Sequence, residues 1–143
     1  MPTTDFPFQI EREINPPTFA EIDDRIGGVY VIYNVLSQCS YVGKALSIRK
    51  RVRNDHYRAL ATGHSNQAAM QRLIWDRNRL GKGLEPFRFA VLQVIPTSQY
   101  DDFIPAETLF IKAIKPAYNY YMDNRYPFTE YDSAMALLDN KEP

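Results

Sequence analysis

Cysteine is almost absent from this chain, and long apolar runs are absent altogether. A single cysteine, Cys39, excludes an internal disulfide and lies in a segment without other metal-binding side chains. No segment approaches the roughly 18 consecutive apolar residues that a membrane span needs. Residues 1–13 carry neither the basic segment nor the apolar segment of a secretion signal. We therefore expect a cytoplasmic protein without a membrane partner.

The chain also lacks net charge, but its charges are segregated along the sequence. Residues 44–88 contain eleven Lys or Arg against three acids, whereas residues 1–25 and 120–143 are acidic. A basic middle between acidic ends is typical of a phosphate-binding face. A solvated helix face explains the same charges equally well, so the charge pattern alone leaves both interpretations open.

The remaining composition is that of one globular domain. With 143 residues, of which 45% are hydrophobic, the chain is long enough for a single core and too apolar for disorder. Periodicity and turn residues predict strands at 29–34, 41–44 and 87–95, and helices at 47–60, 66–80 and 106–114. The predicted fold is α/β (α+β), with a small central antiparallel sheet of about three strands flanked by helices.

The two ends of the chain carry weaker signals. Residues 1–26 read as an N-terminal arm that packs on the domain through Phe6, Phe8 and Ile10. A short helix is predicted to begin after Pro17, with Thr18 as its N-cap. Residues 120–143 form a predicted C-terminal tail.

Four short motifs occur in order along the middle of the chain. GVY ends at Tyr30 and YVG begins at Tyr41, a basic helix follows Ser47, and AETLFIKAIKPAYN spans residues 106–119. Without further context, the tyrosines would be half-buried strand residues and Glu107 an acid placed favourably near a helix N-terminus. The ordered series resembles the GIY-YIG nuclease superfamily of homing, restriction and excision-repair endonucleases. The resemblance covers about residues 27–119, which we take as the nuclease domain.

This resemblance implies a metal-dependent endonuclease that cleaves DNA. It places Glu107 as the ligand of a Mg²⁺ or Mn²⁺ ion, and a lone carboxylate suits Mg²⁺ because this ion keeps much of its water. Tyr30 would activate the attacking water, Tyr41 would line the same site, and Arg51 would bind the scissile phosphate. The expected supports of the site are Gly28, Gly43 and Asn119. The expected DNA contacts are Lys44, Arg49, Arg53, Arg58, His64 and Arg72.

One position departs from the family pattern. The family usually has His or Tyr four residues after the arginine, where this chain has Asp55, and His56 comes one residue later. One residue rotates a side chain by about 100° around a helix. Either the helix carries an irregularity that brings His56 to the site, which we expect, or His56 is a core residue.

A different class of function fits the same motifs. A nucleic-acid-binding module of this fold with weak or lost catalysis is the alternative, and the displaced histidine is its main support. The motifs do not define a preferred DNA structure. We expect specificity to come from the helices of residues 44–88, from the acidic flanks, or from a homodimer or partner protein.

Overall fold

The computed structural model describes residues 6–14 and 22–122. The beginning of the helix predicted after Pro17 and the predicted tail from residue 123 onward lie outside these ranges. Within them, no helix is both long and apolar enough to cross a membrane.

An antiparallel sheet with helices on both faces forms the fold, which confirms the predicted mixed class. The strand order is β1-β4-β2-β3. The strands are β1 (Arg12–Glu13), β2 (Gly28–Asn34), β3 (Ser40–Ala45) and β4 (Phe87–Val94). Strands β2, β3 and β4 occupy the predicted segments, and β1 is an additional short strand from the arm.

Three main helices pack on this sheet. They are α1 (48–62), α2 (Ala68–Leu80) and α3 (Phe103–Ile114), and 3₁₀ segments span Thr97–Asp102 and Ala117–Met122. Helix α1 begins after Ser47, whose hydroxyl accepts a hydrogen bond from the Lys50 backbone at 3.4 Å. It ends at Gly63, which has a φ of 78° and therefore stops the helix in the left-handed region.

The alternation of side chains along β2 divides the core into two clusters. Tyr30 and Ile32 point toward α1 and α2, where they pack with Leu60 and Met70. Val29, Val31 and Tyr33 point to the opposite face, which is covered by Phe103 and Ile111 of α3. The period of two residues in a strand thus sends one tyrosine of β2 to each face.

The arm attaches to the domain through aromatic rings and one short pairing. The rings of Phe6 and Phe8 each have their centroids 5.8 Å from that of Tyr33. Arg12 lies opposite Val91, so β1 covers the outer edge of β4. Sequence periodicity does not reveal β1, because its two residues are charged and exposed and the neighbouring strand alone determines their pairing.

Candidate functional site

The hairpin of β2 and β3 sets the two motif tyrosines on one face of the sheet. Tyr30 lies opposite Gly43, and Ile32 lies opposite Tyr41. Residues that face each other across antiparallel strands share a face, so both tyrosine rings point toward α1. Their ring centroids are 6.3 Å apart.

Gly43 is required by the position of the Tyr30 ring. A Cβ atom at Gly43 would lie 2.5 Å from the Tyr30 hydroxyl oxygen and 2.6 Å from the adjacent ring carbon. These separations are shorter than real Cβ contacts, and Tyr30 is fully buried and has little room to move. A glycine at position 43, in the second motif, therefore leaves the space that the ring of Tyr30, in the first motif, occupies.

Gly28 has a backbone role at the start of β2. Its φ of 144° lies in a region that side chains rarely adopt, and a Cβ atom there would collide with the Gln93 carbonyl oxygen of β4. A shift in the pairing of β2 with β4 occurs just after it, between Val29 and Tyr30. Gly28 thus allows the irregular strand backbone that immediately precedes Tyr30.

Helix α1 contains a helical irregularity of the kind that we expected from the position of His56 in the sequence. Its first turn, Ile48–Lys50, and its last turns, Arg58–Thr62, are α-helical, whereas Arg51–Tyr57 forms a π-helix. A π-helix contains more residues per turn than an α-helix, so it shifts the facing of the residues within it. His56 consequently points inward at 1% exposure, and Asp55 points out to solvent.

The inward position of His56 brings it against both tyrosines. The Nε2 atom of His56 is 2.6 Å from the Tyr30 hydroxyl oxygen, and its Nδ1 atom is 3.0 Å from the Met70 sulfur. A thioether sulfur only accepts hydrogen bonds, so Nδ1 carries the proton and Nε2 accepts one from Tyr30. The ring centroids of His56 and Tyr41 are 5.4 Å apart.

Burial is the largest cause of the pKa shifts of Tyr30, Tyr41 and His56. Burial raises the pKa of Tyr30 well above its ordinary value, and Tyr41 raises it further. Burial and the charge of Glu107 raise the pKa of Tyr41, whereas burial together with Arg51 lowers the pKa of His56 to about 3. At neutral pH the three side chains are therefore all neutral. The charge of Arg51 opposes the increase in the pKa of both tyrosines.

Arg51 lies at the solvent side of the cluster, one turn before His56. Its Nε atom is 3.0 Å from the Asp55 carboxylate, and both side chains are about half exposed. An exposed pair of this kind contributes little to stability, so an anion can replace Asp55 as the partner of Arg51 at small cost. Asp55 thus contacts Arg51 without entering the buried cluster.

Glu107 projects from α3 near the open edge of β3. Its carboxylate is 3.6 Å from the Lys44 ammonium, and the glutamate side chain is 21% exposed. Its charge raises the pKa of both tyrosines. Among residues 6–14 and 22–122, no three His, Cys, Asp or Glu side chains cluster as a complete metal cage.

Asn119 holds β3 from its open edge. Its side-chain oxygen accepts a hydrogen bond from the Val42 backbone N–H, and its side-chain nitrogen donates one to the Val42 carbonyl, both at 2.8 Å. This pairing satisfies an edge strand between Tyr41 and Gly43. Asn119 is therefore in position to fix the strand that carries the second tyrosine.

A buried polar network holds Asn119 in turn, and the sequence did not reveal it. Asp76 is fully buried on α2, where it accepts a 2.5 Å hydrogen bond from the Tyr118 hydroxyl and pairs with Arg79 at 2.7 Å. Arg72 donates a 2.8 Å hydrogen bond to the Tyr118 carbonyl. The available signal was the spacing of Asp76 and Arg79 on one helix face, which alone indicates only an exposed pair.

The expected DNA contacts divide into two groups. In the first group, Lys44 pairs with Glu107 and Arg49 pairs with Asp24. Arg72 of the same group donates a hydrogen bond to the Tyr118 carbonyl. The side chains of the second group are exposed on or beside α1: Arg53, Arg58 and His64. The second group is better placed to meet a ligand from solvent.

Comparisons with known proteins agree with this architecture. The chain matches the profile of the GIY-YIG catalytic domain over residues 26–120. It is similar to the solved catalytic domain of the homing endonuclease I-TevI, with 29% identity, a TM-score of 0.50, and coverage of 62% of this chain and 88% of that chain. A mutant of that catalytic domain also shows 29% identity, with a TM-score of 0.49 and coverage of 63% and 84%. No curated protein sequence matches significantly.

Proposed function

The chain belongs to the GIY-YIG catalytic domain family, and we propose that it is an endonuclease that hydrolyses DNA phosphodiester bonds with the help of one metal ion. One observation carries the proposal. The π-helix of α1 brings His56 to 2.6 Å from Tyr30, beside Tyr41 and Arg51, despite the unusual spacing in the sequence. π-Helical turns occur frequently at functional sites, where they re-aim a side chain.

The side chains present fit a Mg²⁺ or Mn²⁺ ion at Glu107. The carboxylate is a hard oxygen donor, it is partly exposed, and its ion pair with Lys44 places it beside the strand that carries Tyr41. A single carboxylate is sufficient for Mg²⁺, because water and substrate phosphate supply its other ligands. The bound ion would neutralise charge on the phosphate under attack.

Arg51 would orient the scissile phosphate. A guanidinium binds two phosphate oxygens at once and stabilises charge that develops on them during hydrolysis. Before substrate arrives, the guanidinium is paired with Asp55 on the exposed side of α1. Phosphate would then compete with Asp55 for the same guanidinium.

The tyrosines and His56 would carry the proton from the attacking water. Tyr30 is fully buried, whereas Tyr41 is half-buried, so Tyr41 is the more accessible to water. Tyr41 affects the pKa of Tyr30, and Tyr30 donates to His56. A proton taken up at the tyrosine pair can therefore pass inward to the Nε2 atom of His56.

This path needs positive charge at the site to operate. Burial alone keeps both tyrosines protonated and makes His56 a poor base. Arg51 lowers the pKa of both tyrosines, and a cation at Glu107 would lower them further. A phosphate anion beside Arg51 would weaken the effect of that charge on all three side chains, so it would raise the pKa of the imidazole while the cation at Glu107 offsets the loss at the tyrosines. Catalysis thus depends on substrate and metal being present together.

The burial of Tyr30 also favours a second candidate function. A fold that retains the site but excludes water from its first tyrosine would act as a DNA-binding module with weak catalysis. The two proposals differ in their dependence on metal. Both would bind DNA in EDTA, but a binding module would cut it weakly or not at all when Mg²⁺ or Mn²⁺ is added.

The test is direct incubation with DNA. We expect the protein to cut single-stranded, duplex or branched DNA in Mg²⁺ or Mn²⁺, and to leave all three intact in EDTA. Binding of the same DNAs should persist in EDTA. Binding without cutting in every metal would replace the nuclease with the binding module.

A further inference from the structure

A cleft of about 430 Å³ opens beside the Tyr30–His56 cluster, and the proposed chemistry does not use most of it. Arg51 forms part of its wall, so the cleft continues from the place proposed for the scissile phosphate. The side chains that characterise it are Lys44, Leu46, Lys50, Arg51, Tyr100 and Phe103. Cationic and apolar groups thus line the same cavity.

Two large apolar side chains of the cleft are exposed to solvent. Tyr100 is 59% exposed and Leu46 is 53% exposed, although both are large apolar side chains. The Tyr100 ring stacks on Phe103, with centroids 5.8 Å apart and planes inclined by 30°, and Phe103 is buried. One face of the Tyr100 ring is therefore held by the core, which orders the ring before any ligand binds.

The charges of the cleft select an anionic occupant. Lys44, Lys50 and Arg51 surround it, and the carboxylates of Glu107 and Asp55 pair with Lys44 and Arg51 respectively, which leaves a net positive charge at the cleft. An apolar peptide or a lipid tail would meet three cations there. A nucleotide carries both features that the cleft can bind, a phosphate and a flat aromatic base.

From this combination we infer that the cleft binds one unstacked nucleotide next to the scissile phosphate, with its base on Tyr100 and its phosphate among Lys44, Lys50 and Arg51. This inference rests on the proposed function and specifies its substrate. Bases within a continuous duplex cover each other's faces, so a base reaches Tyr100 only after it leaves the stack. Unstacking costs least where the nucleotide is already unpaired. The preferred DNA is therefore one that contains an unpaired nucleotide at the cleavage position.

Binding in EDTA tests the subsite without requiring cleavage. The probes are a duplex with one unpaired nucleotide and the matching fully paired duplex, each titrated with the full chain. Wild type should bind the unpaired form about 5- to 150-fold more tightly, the range that stacking of one base supplies. Tyr100→Ala should remove that ratio and leave binding of the paired duplex nearly unchanged.

Two control variants separate stacking from other effects. Tyr100→Phe keeps the ring and should keep the preference. Leu36→Ala removes a side chain of similar exposure, 55%, that does not line the cleft, and it should also keep the preference. With 5-iodouracil at the unpaired position, irradiation should attach the DNA to Tyr100, as located by mass spectrometry.

The outcomes distinguish the subsite from the nuclease. Equal binding of both duplexes by wild type, equal losses on both with Tyr100→Ala, or loss of the preference with Tyr100→Phe would each overturn the subsite. A cut in Mg²⁺ with no such preference would leave the nuclease standing and refute the subsite. A Tyr100-dependent preference without any cut would support the subsite and refute the nuclease.

Discussion

Burial of His56 should make the stability of this protein depend on pH. An unfolded histidine has a pKa near 6.5, whereas burial and Arg51 hold the pKa of His56 at about 3 in the folded protein. The folded state therefore binds fewer protons than the unfolded state below pH 6.5. Stability from this group is complete above that pH and is lost as the pH falls toward 3.

The magnitude follows from the two pKa values. Between pH 7.5 and pH 5.5 the unfolded histidine becomes largely protonated while His56 stays neutral, which lowers the free energy of unfolding by about 1.4 kcal/mol. The groups that contact or act on the imidazole are Tyr30, Tyr41, Arg51 and Met70, and none of them changes charge in this interval.

Urea denaturation at pH 7.5 and 5.5 measures this loss. His56→Gln should be less stable than wild type at pH 7.5 and should lack the loss of about 1.4 kcal/mol on acidification. His64→Gln, which changes an exposed histidine, should keep it. Identical pH dependence in wild type and His56→Gln would show that His56 is not held neutral by burial and would refute the reasoning.

Three further predictions concern the same face. Gly43→Ala should lower the free energy of unfolding by about 1–3 kcal/mol, because the new methyl group displaces the Tyr30 ring. It should also lower cleavage per folded molecule, and a fully active variant would contradict the packing of Tyr30 on Gly43. His56→Gln should slow cleavage by about 10²- to 10⁴-fold, whereas Asp55→Asn should slow it less than about tenfold, and the reverse order would mean that Asp55 carries the chemistry. The logarithm of the DNA association constant should fall with the logarithm of salt concentration with a slope of about −3 to −4, and a flat response would exclude a phosphate-binding face. The exposed cations expected to set that slope are Lys50, Arg51, Arg53 and Arg58.

Local sequence patterns were sufficient for most of the fold. The hairpin follows from two apolar segments around a short turn, and the glycines at 63 and 81 end α1 and α2 because both take a positive φ. Strand β1 was beyond reach, since its pairing depends on the free edge of β4 and not on its own residues. The bounds of α3 moved to Phe103, where a 3₁₀ segment leads directly into the helix.

The sequence motifs predict which residues belong to the candidate site, but they do not predict how these residues are arranged. The motif order named Tyr30, Tyr41, Arg51, His56 and Glu107, but helical periodicity assumes a uniform turn and cannot place His56 after an extra residue. The π-helix accompanies the contacts of His56 with Tyr30 and Met70, which lie on other elements of the fold and are not visible in local periodicity. Asp76 was missed for the same reason, because its partner Tyr118 is 42 positions away in sequence.

Separation of cleavage from binding at Glu107 tests the central claim most directly. Glu107→Gln keeps the shape of the side chain but removes the charge that would hold the metal ion. DNA cleavage in Mg²⁺ and affinity in EDTA should be measured in parallel, with Glu85→Gln as a matched variant of an exposed carboxylate. We predict that Glu107→Gln binds DNA within about threefold of wild type but no longer cuts it, since the carboxylate would hold the metal ion and adds little to phosphate affinity. Undiminished cutting by Glu107→Gln, with Glu85→Gln also active, would contradict the account.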